Sequence, residues 1–168
     1  WVFRGFFMSV FTAEIAKLEG LILDKTYYKS IPEKVERGHP VAQLYGLGAP
    51  WARDNHAKFN RTNICGKNSP CLKYDENYGE KHFAVGPPYL VEKKDIWRIA
   101  RSWTDFVPRV YEGYPYLLAE MYAYSMGSAH EELPHIQLEN YMVSNTEADG
   151  EGWPLVDKLT DPCTPPNE

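Results

Sequence analysis

Hydrophobic residues recur with helical spacing in the centre of the chain. Ile96, Ile99, Trp103 and Phe106 follow one another at intervals of three and four residues, which is the stripe of an amphipathic helix. Because proline lacks the amide hydrogen that a continuing helix needs, we expect Pro108 to end this helix.

A second helix is predicted to start at Pro115, because proline is favoured in the first turn of a helix. Pro134 closes it, and five of its residues fall on one face: Leu118, Met121, Tyr122, Ser125 and Ala129. Glu120, Tyr124 and Gly127 share the adjacent face, so a carboxylate and a phenol project together. On spacing alone they form either a pocket wall or the solvated edge of a core helix.

β-Favouring runs predict a mixed sheet whose strands are Leu21 to Asp24, Pro40 to Tyr45, Phe83 to Val85 and Ile136 to Leu138. The run that begins at His82 meets Gly86-Pro87-Pro88. Two of those three residues lack an N–H, so the strand should stop or kink there. Strands and helices together predict an α/β fold.

The segment from Ala52 to Lys81 has no sustained period, so we expect an irregular loop that is functional or stapled. The chain has three cysteines, which permit one disulfide and leave one thiol over. Cys65 and Cys71 flank a polar part of this loop, and a local bridge between them is the expected pairing in an oxidising compartment. Free thiols remain the alternative, and both are favoured over a metal site.

Asn60-Arg61-Thr62 is an N-x-S/T sequence in the same loop and predicts an N-glycan on Asn60. Together with the two neighbouring cysteines, it favours the lumen of the secretory pathway, in the ER or the Golgi.

The composition limits the classes of protein to which the chain can belong. A chain of 168 residues with 43% hydrophobic residues is long enough for one domain with a real core. Its net charge of −5 provides no basic footprint, so we expect no nucleic-acid partner.

Three segments are distinguished by their residue types. Residues 1–19 form an aromatic N-terminal segment, residues 20–156 the domain, and residues 157–168 a proline-rich tail. The first segment has at most nine consecutive uncharged residues, Gly5 to Ala13, whereas a membrane-spanning helix needs roughly 20 apolar residues. We expect a buried or interfacial helix there, with a membrane anchor upstream of the chain left open.

Several separated motifs occur in a recognisable order. Gly86-Pro-Pro is followed by a helix and then by Ala119-Glu-Met-Tyr-Ala-Tyr-Ser, with Pro40-Val-Ala-Gln-Leu-Tyr-Gly upstream and Glu139-Asn-Tyr-Met-Val-Ser downstream. In these motifs, spread over roughly residues 20–153, the chain resembles the peptidyl serine α-galactosyltransferase and hydroxyproline O-arabinosyltransferase-like group. The resemblance implies a partial GT-A-like fold with a mixed sheet flanked by helices. It also implies a UDP-sugar donor and a protein acceptor with a serine or hydroxyproline hydroxyl.

The same resemblance implies a metal site at the end of the first predicted strand. In GT-A-like enzymes an Asp-x-Asp motif holds Mn²⁺ or another divalent cation on the sugar diphosphate. The matching residues here are Asp24-Lys25-Thr26. The first acid is kept, and the second is replaced by a neutral and weaker ligand.

Further roles follow from the resemblance for other residues. It implies that Gly86 and Pro87 shape the donor pocket. Glu120 is implied to face the sugar or the positive charge that develops on it, with Tyr124 orienting Glu120.

Two functions from different classes are therefore compatible with the sequence. The first is a glycosyltransferase that moves a sugar from a UDP-sugar to a protein hydroxyl. The second is a catalytically inactive, transferase-derived structural or interaction subunit of a larger assembly, with a protein partner on the aromatic segment. Thr26 favours the second function. A GT-A-like fold places its uridine-binding half upstream of this motif, whereas only 23 residues precede Asp24. Either the chain is a fragment of a longer enzyme or the activity is lost.

Overall fold

The protein has a mixed α/β fold, seen in a computed structural model that describes residues 35–138. Its regular elements in chain order are β1 (Val41–Leu44), α1 (Arg61–Cys65), α2 (Glu76–Phe83), β2 (Val85–Leu90), α3 (Lys93–Gly113), α4 (Ala119–His130) and β3 (Ile136–Leu138). The predicted strand from Leu21 to Asp24, the aromatic segment 1–19 and the tail 157–168 lie outside the described residues.

The three described strands form one small sheet in the order β2-β1-β3. β1 pairs antiparallel with β2 and parallel with β3. Parallel neighbours need a long crossover connection, and the helices between β1 and β3 supply it. The predicted strands at residues 40–45 and 136–138 are confirmed.

The Gly-Pro-Pro segment lies inside strand β2. Of the two outcomes predicted for it, the strand does not stop there but is interrupted by a bulge, which corresponds to the predicted kink. Ala42 of β1 pairs with Tyr89, whereas the next residue, Gln43, pairs with Gly86. Pro87 and Pro88, joined by a cis peptide bond, therefore fall in a bulge between these two pairs. Their missing N–H groups cost the ladder nothing there, because a bulged residue makes no ladder hydrogen bond.

The prediction that residues 82 and 83 belong to a strand is wrong, because both end helix α2. Asp75 caps that helix by accepting a hydrogen bond from the backbone N–H of Tyr78 at 2.8 Å, as N-cap carboxylates do. Phe83 is buried at the other end of the helix and packs in the larger core. Capping and burial together outweigh the β-favouring composition of this short run.

Helix α3 continues through Pro108, which was predicted to end it. Phe106 and Val110 are buried on either side of the proline, so the packing of the helix resumes beyond it. Pro108 and Thr104 are both exposed. Water can therefore bond the Thr104 carbonyl, which loses its usual helical donor, and tertiary packing outweighs the local cost of the proline.

Helix α4 begins four residues later than predicted, at Ala119 rather than Pro115. Leu118 precedes it with a φ of 76°, a left-handed conformation that interrupts the helix. From Ala119 to Ala129 every residue except Glu120 is buried. Tyr124 and Gly127 are thus as enclosed as the predicted apolar face, and α4 is a central helix rather than an amphipathic one.

The segment from Ala52 to Lys81 contains helical structure and is not the irregular loop that was predicted. Its described elements are α1, most of α2 and the 3₁₀ turn Pro70–Lys73, and a further 3₁₀ turn, Pro50–Ala52, ends at its first residue. Each helix is too short to have shown a period in the sequence. The predicted staple is confirmed, since Cys65 and Cys71 form a disulfide.

Helix α2 packs closely against the segment after β1, at Ala49 and Ala52. A Cβ on Gly79 would lie 2.6 Å from Cβ of Ala49 and 3.4 Å from Cβ of Ala52. The first distance is shorter than two carbon atoms can approach, and neither alanine has a flexible side chain that could move aside.

Gly79→Ala should therefore destabilise the protein by about 1–2 kcal/mol, because overpacking in a tight core outweighs the roughly 1 kcal/mol by which alanine favours a helix. Gly46→Ala is the matched control, since its Cβ would meet nothing within 4 Å. Chemical unfolding of both variants measures the difference. A Gly79→Ala variant as stable as the wild type would show that α2 does not pack this closely.

Candidate functional site

Glu120 is the one exposed residue in the first eleven residues of helix α4. The helix is fixed at this point by Trp103 of α3, whose indole Nε1 donates a hydrogen bond to the backbone carbonyl of Glu120 at 2.7 Å. The carboxylate itself is thus presented to solvent from a rigid element. An exposed carboxylate on a rigid helix suits ligand binding better than one on a loop.

Tyr89 of strand β2 lies beside this carboxylate. Burial raises the pKa of the Tyr89 hydroxyl, and electrostatic repulsion from Glu120 and, once it ionises, from Tyr45 raises it further. Tyr89 therefore stays protonated at neutral pH and keeps its O–H as a hydrogen-bond donor. We call the group formed by Tyr45, Gly86, Tyr89, Trp103 and Glu120 the Glu120 site.

Tyr124 supports the Glu120 site from within the core. Its ring stacks on Tyr89 with centroids 4.1 Å apart and meets Trp103 edge-on at 5.3 Å. It is fully buried, and its hydroxyl bonds Nε2 of His135 at 2.9 Å. Burial raises the pKa of this hydroxyl well above its usual value. The Tyr124 hydroxyl is thus paired with His135, and its ring packs against Tyr89 and Trp103. The predicted orientation of Glu120 by Tyr124 stays a prediction.

Gly86 determines where the ring of Tyr45 lies. A Cβ on Gly86 would come within 2.7 Å of Cδ2 of Tyr45 and 2.9 Å of the terminal methyl of Met121. The ring could not remain against a larger residue. Pro87 is exposed in the bulge of β2. The two residues predicted to shape a donor pocket therefore border the Glu120 site.

Sequence reasoning found Glu120 and Gly86 but missed Tyr45, Tyr89 and Trp103 as their neighbours. Tyr45 directly follows β1, and in β2 the register places Tyr89 opposite Ala42 and Gly86 opposite Gln43. No local period in the sequence encodes this pairing, because it depends on the register of two strands that are distant in the chain.

Asp24, which the resemblance implies as a metal ligand, lies outside the described residues, and so does Thr26. Between residues 35 and 138 no group of three His, Cys, Asp or Glu side chains is arranged to hold a metal ion. The described part of the Glu120 site contains a single carboxylate. It does not by itself fit Mn²⁺, which takes several oxygen ligands.

Asp95, a buried acid, has a structural role. Its carboxylate accepts a hydrogen bond from the backbone N–H of Gly38 at 2.5 Å and lies 3.5 Å from a guanidinium nitrogen of Arg98. These contacts join the segment before β1 to the first turn of α3. A buried carboxylate held in this way has partners for its charge and needs no ligand.

A separate shallow cleft of about 220 Å³ lies next to Asn60. Lys58, Arg109 and Glu112 contribute to its wall. The guanidinium of Arg109 already donates to the carbonyl of Ile64 at 2.5 Å and to the carboxylate of Asp105. Because this cation is engaged by the protein, the cleft offers no convergent set of groups for a small charged ligand.

An exposed carboxylate beside aromatic rings is suited to carbohydrate. A carboxylate accepts hydrogen bonds from sugar hydroxyls, and the apolar C–H faces of a sugar ring pack against aromatic side chains. In the Glu120 site the rings of Tyr89 and Trp103 are partly buried, and Tyr124 covers one face of Tyr89.

Comparison of the chain with models of protein families, with curated proteins and with solved structures gives no match. What the Glu120 site does must therefore be inferred from its own residues. In the described part of the chain, no helix is both long and apolar enough to cross a membrane.

The buried His135 behind the site should make stability depend on pH. Burial lowers its pKa to about 3, although the neighbouring Leu133 carbonyl opposes this shift. The unfolded chain, with a histidine pKa near 6.5, binds the extra proton over the whole range between these values. Stability should therefore fall as the pH drops from about 6.5 towards 3, by roughly 3 kcal/mol at pH 4 from this residue.

His135→Gln should flatten this slope, because glutamine does not titrate and can still bond the Tyr124 hydroxyl. His39→Gln, at an exposed histidine, should leave the slope unchanged. Chemical unfolding between pH 4 and pH 7.5 compares the three proteins. An equal slope in wild type and His135→Gln would mean that His135 is protonated in the folded protein.

Proposed function

We propose that this chain belongs to a glycosyltransferase that moves a sugar from a UDP-sugar to a serine or hydroxyproline hydroxyl of a protein. The observation that carries the proposal is the exposed Glu120 carboxylate, held on the rigid start of α4 beside Tyr89, Tyr45 and Trp103. The motif resemblance supplies the substrate class.

The reaction explains why a carboxylate and rings would be needed together. When the bond between the sugar and UDP breaks, positive charge develops on the sugar ring, and a fixed negative charge nearby stabilises it. Glu120 is in a position to do this from the solvent side of α4. Tyr89, which keeps its proton, donates a hydrogen bond to a sugar hydroxyl or to Glu120 itself.

The aromatic residues would orient the sugar. Trp103 and Tyr89 offer ring faces to the apolar side of a sugar, and Tyr124 fixes both rings from below. Gly86 leaves room for Tyr45, while Pro87 lies at the rim. Orientation of the donor in this way lowers the barrier because the reacting groups no longer have to find each other.

The GT-A-like form of the fold is part of the same proposal. The described sheet is mixed and flanked by helices, which agrees with the resemblance at the coarse level. We propose that Leu21 to Asp24 forms a further strand that presents Asp24 to the sugar diphosphate. When bound there, Mn²⁺ or another divalent cation would neutralise the charge of the leaving diphosphate.

A second function is favoured by Thr26, which stands where a second acid would be expected. With one acid instead of two, the chain would be an inactive subunit of a larger assembly, derived from a transferase. Its partner would be a protein that contacts the aromatic segment 1–19. Donor binding distinguishes the two functions.

Replacement of Glu120 by glutamine tests the enzymatic proposal. Glu120→Gln should leave UDP binding within about twofold, because a group that serves the transition state contributes little to ground-state affinity. Turnover of a UDP-sugar with a serine- or hydroxyproline-containing peptide should fall by about 100-fold or more. Calorimetry measures the first quantity and detection of released UDP measures the second.

Glu80→Gln is the matched control, since Glu80 is an exposed helical glutamate on α2 outside the Glu120 site, and it should retain full turnover. Unchanged turnover in Glu120→Gln would contradict the role assigned to Glu120. A folded chain that shows no UDP binding at millimolar concentration, with or without Mn²⁺, would favour the inactive subunit.

A methyl group added at Gly86 fills the space beside Tyr45 and so tests the geometry of the Glu120 site. In Gly86→Ala the new methyl group should displace the ring of Tyr45 and lower the affinity for donor sugar by roughly tenfold, the effect of about 1.4 kcal/mol. The affinity for UDP alone should change less. Equal affinities of Gly86→Ala and wild type for the UDP-sugar would show that Tyr45 takes no part in binding.

A further inference from the structure

Asn60 has an exposed side chain directly before helix α1. Its Oδ1 accepts a hydrogen bond from the backbone N–H of Asn63 at 3.0 Å, which caps the helix. The acceptor in this bond must be the amide oxygen, because its partner is an N–H group. The amide nitrogen Nδ2 therefore lies on the other side of the carboxamide, and no hydrogen bond engages it in the described region.

Asn60 also begins the sequence Asn-Arg-Thr, whose third residue, Thr62, is exposed as well. Arg61 between them turns towards the protein, where its guanidinium donates to the carbonyl of Tyr74 at 2.8 Å and to Asp54 at 2.7 Å. The two residues that define an acceptor for N-glycosylation thus face solvent, while the residue between them is anchored.

We propose that Asn60 carries an N-linked glycan. The donor class is an oligosaccharide bound to a lipid through a diphosphate. Nδ2 forms a new bond to C1 of the first sugar, and the bond between C1 and the diphosphate oxygen breaks. The diphosphate leaves with the bonding electron pair, and Nδ2 gives up one of its two protons.

The folded structure has room for the product. Asn60 borders the cleft of about 220 Å³ whose wall includes Lys58, Asn63 and Glu112. This open volume beside Asn60 leaves space for the first sugar. Because the modified atom is Nδ2, the Oδ1 bond that caps α1 survives the modification.

The nearby disulfide is an independent observation that places this loop in a suitable compartment. Cys65 and Cys71 are bonded, and Asn60 lies five residues before the first of them. Disulfides persist in oxidising compartments such as the ER lumen, where N-glycans are also attached. The inference does not rest on the proposed transferase activity, since an inactive chain in that lumen would be modified equally.

Mass spectrometry of the full chain, secreted from a eukaryotic cell without reduction, tests the proposal. We expect the peptide that contains Asn60 to carry a glycan that peptide-N-glycosidase removes, leaving an aspartate at this position. A secreted chain with an intact Cys65–Cys71 bridge and a bare Asn60 would overturn the proposal.

Variants separate the modification from the fold. Asn60→Asp keeps an oxygen that caps α1 but lacks Nδ2, so the glycan should be lost while the chain still folds. Thr62→Ala should lose it and Thr62→Ser should keep it. Asn68→Gln, at an exposed asparagine outside such a sequence, should remain glycosylated. Retention of the glycan in Asn60→Asp would show that another residue carries it.

Discussion

The burial of helix α4 is the constraint on which the rest of the described structure depends. It packs against α3 along its length and also contacts α1, α2, β2 and the 3₁₀ turn of the disulfide loop. The two helices pack closely at Gly127, where a Cβ would lie 3.1 Å from the backbone nitrogen of Trp103. A larger residue there would have to push α3 away. Since Trp103 also holds the start of α4, the same contact determines where Glu120 is presented.

The core behind this helix contains a buried pair of polar aromatic side chains. Tyr124 and His135 share a hydrogen bond at full burial, and Nδ1 of His135 has no hydrogen-bond partner in the described region. Such an arrangement tolerates no charge. The ring of Tyr124 contacts both His135 and Tyr89. A row of three aromatic rings therefore joins the neutral pair in the core to the Glu120 site on the surface.

Local patterns in the sequence were sufficient for part of this structure. The strands at residues 41–44 and 136–138, the two long helices and the Cys65–Cys71 bridge follow from composition and spacing. The errors arose where contacts distant in sequence decide the outcome. Helix α3 passes Pro108 because buried residues on both sides hold it. Glu120 was identifiable, whereas Tyr45 and Tyr89 join it only through the irregular register of β1 and β2.

The bulge in β2 has a consequence for the protein at high concentration. A strand can recruit a strand from another molecule when it presents an unbroken row of donors and acceptors. In β2 two consecutive prolines interrupt that row, and the bulge displaces the backbone at the same place. Within the sheet of residues 35–138, β2 is an edge strand, and an incoming chain could not build a continuous ladder along it. The residues that border the Glu120 site thereby also protect the strand from intermolecular pairing and fibril growth.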